Sequence, residues 1–477
     1  MIQSIIGREA ETGLLEECYR SGKAELVAIY GRRRIGKTFL VKNIFMDRLD
    51  FFITGMYEGS LKEELAIWNQ KLTEHSGQSY PAAQSWIEAF SQLKRYIQSL
   101  EKDRIVIFID ELPWFDTPRS RFVKAFEQFW NDWASSQSNL MIIVCGSATT
   151  WMNENIIAQK GGLHNRVTRK IKLSPFNLYE TSQFLASKNI KWSDHQIAEC
   201  YMILGGTPYY LDLLRKEYSL AQNIDFLFFR TNAELSEEYG ILLKSLFKKA
   251  EIYRKAIEIL GKNGKGMTRK ELAAKIKGSQ GGGLSTILEN LENCDFIRSY
   301  SAFGKKSRDM MYQLCDMFIL FNLRFVIGGK GRDESYWSNS IDNPARRAWS
   351  GYAFEQLCFN HIPQIKDCLG IKGVLSNVCS WNRPADKDNG VKGRQIDMLI
   401  ERRDQVINVC EAKFSVVEYV MTEKYLHEMN ARMEDFRMSV NTGYALHLTM
   451  IASAGLARNA YSDQVQSVVT LKDLMKP

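Results

Sequence analysis

The residues best placed by type and spacing to do chemistry are Gly31, Arg32, Arg33, Arg34, Ile35, Gly36, Lys37 and Thr38, which fit G-x-x-x-x-G-K-[ST]. Each part of that spacing has a physical reason. Glycines let backbone N–H groups curl round phosphate oxygens, and a helix opening at Lys37, with Phe39 behind it, aims its positive end at them. Lys37 is the expected cation on the β- and γ-phosphates, and Thr38 the expected hydroxyl ligand of Mg²⁺. Downstream, the apolar run Arg104–Ile109 ends in Asp110-Glu111. Asp110 suits the Mg²⁺ shell, and Glu111 suits a general base that polarises the attacking water. Ser147, at the end of a third apolar run (Leu140–Cys145), reads either as a sensor of the γ-phosphate or as a polar turn residue. Arg166 and Arg169 read either as arginine fingers or as surface arginines.

A second constellation lies near the other end. Asp397 sits in QIDMLI, and Glu411 and Lys413 sit in VINVCEAKFS. Residues two apart on a strand face one side, so Glu411 and Lys413 project together, and a hairpin partner brings Asp397 beside them. Two carboxylates can hold Mg²⁺ or Mn²⁺, and a neighbouring lysine can position or deprotonate water. Glu355, on the helical stretch GYAFEQLCFN, is the candidate third carboxylate.

These residues need elements to position them. Glu25–Tyr30, Phe51–Thr54, Arg104–Ile109 and Leu140–Cys145 read as strands separated by helices (Leu61–Leu72, Trp86–Leu100, Phe122–Trp133), which predicts a parallel sheet with right-handed crossovers. From about Ser174 the pattern turns helical. Glu251–Leu260, Thr268–Ile276 and Leu284–Leu291, followed by Phe296–Tyr300 and Met310–Leu314, read as a winged helix-turn-helix. Thr268 and Glu271 form its capping box. Lys249, Lys262, Lys265, Arg269, Lys270, Lys275 and Lys277 make that module basic, with Lys305, Lys306 and Arg308 at the hairpin tip, so DNA is the expected partner. A winged helix used only for packing is the competing reading. A polar linker over Lys330–Asn343 precedes a helix near Ala353–Asn360 and strands over Gln395–Glu401, Gln405–Phe414 and Tyr444–Ala452. The expected domains are 1–172 (ATPase core), 173–245 (helical lid), 246–330 (winged helix) and 345–477 (small α/β domain).

The bulk composition narrows the class. The 477 residues exceed one ordinary core, and 45% hydrophobic with 25% charged residues is an ordinary soluble balance. A net charge of +8 fits contact with polyphosphate or nucleic acid. The nine cysteines lie singly, with no C-x-x-C pair, which argues for reduced thiols in a cytoplasm and against a zinc site. No apolar run is long enough for a membrane helix, and the start does not read as a signal peptide. Oligomeric state is open, a homo-oligomer included.

Taken in order, Ile6-Gly7-Arg8-Glu9, GRRRIGKTFL, IDELPW, CGSATTWM, KLSPF and GGTPYYL resemble the prokaryotic ATPases of the AAA+/STAND group over roughly residues 1–235. The resemblance implies nucleotide contacts from Gly7 and Arg8 near the adenine and from Pro208 in the lid. Residues 346–453 resemble the PD-(D/E)xK nuclease core, with Asp397, Glu411 and Lys413 on its metal and E-x-K positions. Gln395-Ile396 stands where that core often has a proline. The combination resembles archaeal-type ATPases with a DUF234 C-terminal region. The expectation is an α/β chain: a P-loop NTPase parallel sheet, a helical lid, a winged helix and a nuclease-like domain, using ATP and Mg²⁺. A nucleotide-regulated switch or scaffold that does not cut is the rival, and a metabolic kinase is a third reading.

Overall fold

The computed structural model describes residues 5–147, 149–157, 165–276, 282–304, 310–328, 333–383, 385 and 393–477. Lys277, Lys305, Lys306, Arg308 and Lys330, named above, lie outside them. The chain divides into two units, Met1–Ser174 and Pro175–Pro477.

In the first unit, β1 (Glu25–Tyr30), β2 (Leu49–Thr54), β3 (Ile105–Asp110), β4 (Leu140–Gly146) and β5 (Arg169–Lys172) form a sheet in the order β2-β3-β4-β1-β5, and every pairing is parallel. Unbroken apolar runs make such a sheet because helices cover both of its faces. Val27, Ile29, Phe108 and Ile143 pack in one layer with Leu40, Val41 and Phe45 of the helix Lys37–Phe45. Their neighbours Leu26, Ala28, Ile107 and Ile142 face the other side, among Trp68, Trp86, Phe90 and Phe122 from three further helices. That layer is aromatic, and several of its rings meet edge to face, as Trp86 and Phe122 do at 4.9 Å. Ser60 and Ser85 cap two of the helices by accepting the N–H three residues on.

The sequence reading misses β5. RKIK is short and three-quarters charged, so it carries no apolar signal, and only Ile171 of the strand is buried. It is an edge strand, where charged side chains are tolerated. Arg169, read above as a finger candidate, is ion-paired to Glu17 at 3.0 Å.

The second unit opens with helices whose starts are legible. Asn177, Ser193 and Ser219 each form a capping box with Glu180, Gln196 and Gln222. Ala250–Asn263, Arg269–Lys275 and Gly282–Asn293 follow, with Thr268 and Glu271 boxed as expected. β6 (Met267–Thr268) lies between the first two of these helices, and the antiparallel hairpin of β7 (Ile297–Ala302) and β8 (Met311–Leu314) follows the third. The terminal segment contributes β9 (Ser376–Arg383), β10 (Arg394–Arg402), β11 (Val406–Lys413), β12 (Ala445–Ala452) and β13 (Ser467–Val469).

These strands do not form a separate sheet. Ser301 and Ala302 of β7 pair in parallel with Cys379 and Ser380 of β9, giving one sheet in the order β13-β12-β11-β10-β9-β7-β8-β6. One hydrophobic core likewise runs from Phe176 through Leu260 and Phe354 to Leu474. The segments read as lid, winged helix and terminal domain thus share a core and, for the last two, a sheet.

His361 shows how closely they are joined. It is fully buried, its Nε2 accepts the Leu178 N–H at 2.9 Å, and its Nδ1 donates to the Leu357 carbonyl at 2.8 Å. Accepting at Nε2 needs a neutral ring, and burial lowers the imidazole pKa from 6.5 to about 4. A depressed histidine pKa contributes stability above pH 6.5 that is lost as pH falls towards 4. Thermal melts should therefore show a steep stability loss across that window in the wild type and a flatter slope in His361→Gln. Equal slopes would place the acid sensitivity elsewhere.

Candidate functional site

The phosphate loop joins β1 to the helix Lys37–Phe45. Its path needs positive φ at Gly31 (147°), Arg34 (76°) and Gly36 (86°). Gly31 is required twice over, since a Cβ there would lie 2.2 Å from the Leu173 carbonyl oxygen. Lys37 is buried, and its Nζ donates to the carbonyls of Gly31 and Arg32 at 2.9 Å each, so the ammonium lies inside the curl of the loop. Ile35 anchors the loop in the core, whereas Phe39 is exposed.

Asp110 ends β3 in the middle of the sheet and is 3% exposed. Thr38 Oγ1 donates to its Oδ2 at 2.8 Å. Burial, and then the charge of Glu111, raise the Asp110 pKa, against the pull of hydrogen bonds from Thr38 and Cys145. A hydroxyl and a buried carboxylate in contact make a hard-oxygen donor pair that fits Mg²⁺. Glu111 takes a left-handed backbone (φ 48°), a strained geometry for a non-glycine residue that turns it out of the strand. Its Oε2 accepts from the N–H (3.1 Å) and hydroxyl (2.8 Å) of Ser147 at the end of β4. The structure thus brings Lys37, Thr38, Asp110, Glu111 and Ser147 to one edge of one sheet.

The other expected nucleotide contacts are placed variously. Gly7 and Arg8 both have left-handed backbones ahead of the helix Glu9–Arg20, and Arg8 donates to the Ser174 carbonyl at 2.6 Å. Arg166 is exposed. Pro208 opens the short helix Pro208–Asp212 of the second unit.

In the second unit, β10 and β11 pair antiparallel with Met398 opposite Cys410, so one step on Asp397 faces Glu411. Against β9, the register of β10 shifts between Ile396 and Leu399. This bulge sets Asp397 and Met398 against a single residue, a device that re-aims a side chain. Glu355, Asp397 and Glu411 line one small cavity with Phe359, Met398 and Ile451. Burial, then Asp397 and Glu411, push the Glu355 carboxyl up to about 8. Asp397 is raised as well, first by burial.

Among the described residues no group of three His, Cys, Asp or Glu is close enough to hold a metal ion. Glu355, Asp397 and Glu411 share that cavity. Glu411 is engaged elsewhere: Oε1 accepts from Lys413 Nζ at 2.9 Å and from the Tyr425 hydroxyl, and Oε2 faces Arg432 at 3.4 Å. Tyr425 and Arg432 were missed by the sequence reading. Their signal was available, because positions 425, 428 and 432 fall three and four apart on the helix Glu423–Val440, one face of it.

A carboxyl raised from 4.5 to about 8 binds its proton more tightly folded than unfolded. Its stabilisation is complete below pH 4.5 and is lost as pH rises through 8. In metal-free buffer, Glu355→Gln should therefore gain melting temperature over the wild type as pH rises through that window. A gap independent of pH would contradict the convergence of the three carboxylates.

Residues 5–214 match a family model described as an ATPase domain predominantly from Archaea. An uncharacterised protein of Methanocaldococcus jannaschii is 27% identical over 327 residues, 67% of this chain and 68% of its own length. An uncharacterised ATP-binding protein of the same organism is 38% identical over 47 residues, 10% of this chain and 80% of its own. Among solved structures, the Walker-type ATPase of Pyrococcus abyssi superposes with a TM-score of 0.47 at 20% identity, covering 67% of this chain and 96% of that one. With its phosphate loop set against a buried acidic strand end, the segment 5–214 is similar to the ATPase domains found predominantly in Archaea.

Proposed function

We propose that this chain hydrolyses ATP with Mg²⁺ in the cytoplasm, as an AAA+/STAND-type ATPase, and that its second unit is a nucleic-acid-directed, nuclease-like effector of the DUF234 kind. The observation that carries the reading is the Thr38–Asp110 hydrogen bond, which joins residues 72 positions apart at the mouth of the phosphate loop. Thr38 and Asp110 would hold Mg²⁺, and Lys37 would sit against the β- and γ-phosphates with the loop N–H groups. Bound there, Mg²⁺ supplies neutralisation of charge on the phosphate oxygens. Glu111 takes the proton from the attacking water, and Ser147 fixes the direction of its carboxylate. Gly7, Arg8 and Pro208 are assigned to the nucleotide by resemblance, and Arg166 remains the finger candidate because its side chain is exposed.

In the second unit, Asp397 and Glu411 are assigned to a second Mg²⁺ or Mn²⁺, with Glu355 completing the acidic set and Lys413 orienting water. Aspartate and glutamate oxygens suit either ion. DNA is the favoured nucleic acid because three helices and a hairpin precede the site in winged-helix order. One observation favours a second reading, a nucleotide-regulated switch that binds without cutting. Glu411 is already satisfied by Lys413, Tyr425 and Arg432, as in a structural ion-pair network.

Two assays separate the readings. Phosphate release should vanish in Lys37→Ala together with nucleotide binding. In Glu111→Gln the rate should fall about 10²–10⁴-fold with binding retained, the usual contribution of a general base. Supercoiled plasmid with Mg²⁺ or Mn²⁺ should be nicked by the wild type and left intact by Asp397→Ala and Lys413→Ala. ATP hydrolysis without any nicking would leave the switch as the function.

A further inference from the structure

Beside the acidic cavity runs a groove of about 1280 Å³, and Glu355, Phe359 and Asp397 line both. One wall belongs to the terminal strands and to the helix Pro344–Asn360. Facing it is the turn Asn263-Gly264-Lys265-Gly266, which links the first helix of the basic module to β6.

That turn is held by side chains from several elements. Gln313 Nε2 donates to the Gly264 carbonyl at 2.6 Å, and the Tyr352 hydroxyl donates to the same oxygen at 3.1 Å. The Tyr300 hydroxyl donates to the Lys265 carbonyl at 2.8 Å, and Asn263 Nδ2 closes on the Gly266 carbonyl. Gly264 and Gly266 both have positive φ (63° and 80°), and a Cβ on Gly266 would lie 3.0 Å from the Tyr300 hydroxyl. A turn fixed at every carbonyl, with glycine needed on both sides of one residue, holds that residue in a set place.

The residue is Lys265. Its ammonium donates to the Gln395 side-chain carbonyl, and the Gln395 amide donates in turn to Asp397. Burial raises the pKa of both Asp397 and Glu355, and the Lys265 charge offsets part of that rise. Its partner is a neutral amide, whereas the neighbouring cations sit on carboxylates: Arg394 on Asp435 at 3.0 Å, Lys413 on Glu411 at 2.9 Å and Arg432 on Glu428. A lysine charge resting on an amide is available to an incoming anion in a way that a charge in an ion pair is not.

We propose that Lys265 belongs to the terminal site. It is a phosphate-binding residue lent by the basic helical module, and it grips the backbone of a single nucleic-acid strand lying in the groove beside Asp397. The groove suits a strand because cations and rings line it together. Lys265, Arg394 and Arg432 line it together with Tyr300, Tyr352 and Phe359, whose side chains are partly uncovered. Cations that track a backbone beside aromatic faces that stack bases are the means of binding single strands. The inference rests on reading the second unit as a nucleic-acid site, but not on cleavage.

The test is fluorescence anisotropy of the full chain with a short labelled DNA strand and with the matching duplex. It is run in Ca²⁺ in place of Mg²⁺, over about 50–200 mM salt. The wild type should bind the single strand more tightly than the duplex. Lys265→Ala should weaken single-strand binding about tenfold, the scale of one charge-assisted hydrogen bond. It should also flatten the salt slope by about 0.7, one phosphate contact. Lys265→Arg should keep both, and all variants should keep ATP hydrolysis as the check on folding. Unchanged affinity and slope in Lys265→Ala, or tighter binding of the duplex, would overturn the proposal. Plasmid nicking that survives in Lys265→Ala alongside unchanged binding would sink it alone, while binding that depends on Lys265 without any nicking would sustain it and remove only the nuclease.

Discussion

A carboxylate on the last residue of a buried strand is costly unless donors or a cation meet it, and Asp110 is such a group. Its position follows from the parallel sheet. β1 and β3 both flank β4 and run the same way, so the loop leaving β1 and the acid ending β3 reach one edge together. The hydroxyl that meets the acid, Thr38, is the residue the phosphate loop needs at that position for other reasons. The loop's glycines, the turn at Glu111 and the serine ending β4 all depend on that shared edge. Apolar helices on both faces make the strands stack, and fully burying one aromatic side chain such as Phe108 is worth about 1.5–3 kcal/mol. The sheet's cohesion is what sustains a charged edge whose own groups repel.

The second unit solves a similar problem differently. Its three carboxylates converge through a hairpin and a helix, and the bulge at Asp397 and Met398 turns the aspartate towards the other two. Burial and then mutual repulsion raise Glu355, and cations from three directions surround the cluster: Lys413 on the same strand as Glu411, Arg432 on the long helix, and Lys265 from the basic module. The parallel pairing of β7 with β9 makes the third possible, because it fixes the basic module to the terminal strands as one sheet.

What was legible in the sequence followed from local rules. β1 is bounded by charge at one end and glycine at the other, and it begins and ends where the apolar run does. The Thr268–Glu271 capping box and the facing of Asp397 and Glu411 follow from helix-start chemistry and from strand period. What was not legible depends on partners distant in sequence. The pairing of Ser301 with Cys379 has no local signal, and neither does a bulge that exists only relative to β9. β5 was hidden because its edge position permits a charged sequence. In the sequence Lys265 is one of several cations of the basic module, since only the folded hairpin and helix supply the four side chains that fix its turn.

The two sites differ in how far their charges are already balanced, and that difference bears on their roles. At the phosphate loop, Lys37 is held by carbonyls rather than by a carboxylate, and Asp110 by a hydroxyl rather than by a cation. Both charges are therefore open to the polyphosphate and the divalent ion proposed for this site. At the terminal site Glu411 is matched by a lysine, a tyrosine and an arginine, while Glu355 and Asp397 are left to burial, to each other and to Lys265 through an amide. A cation of the kind proposed there would gain most from Asp397 and Glu355, and it would have to displace Lys413 or Arg432 to reach Glu411. The terminal site is therefore the more conditional of the two: its acidic floor is assembled, but full use of Glu411 requires side chains to move first.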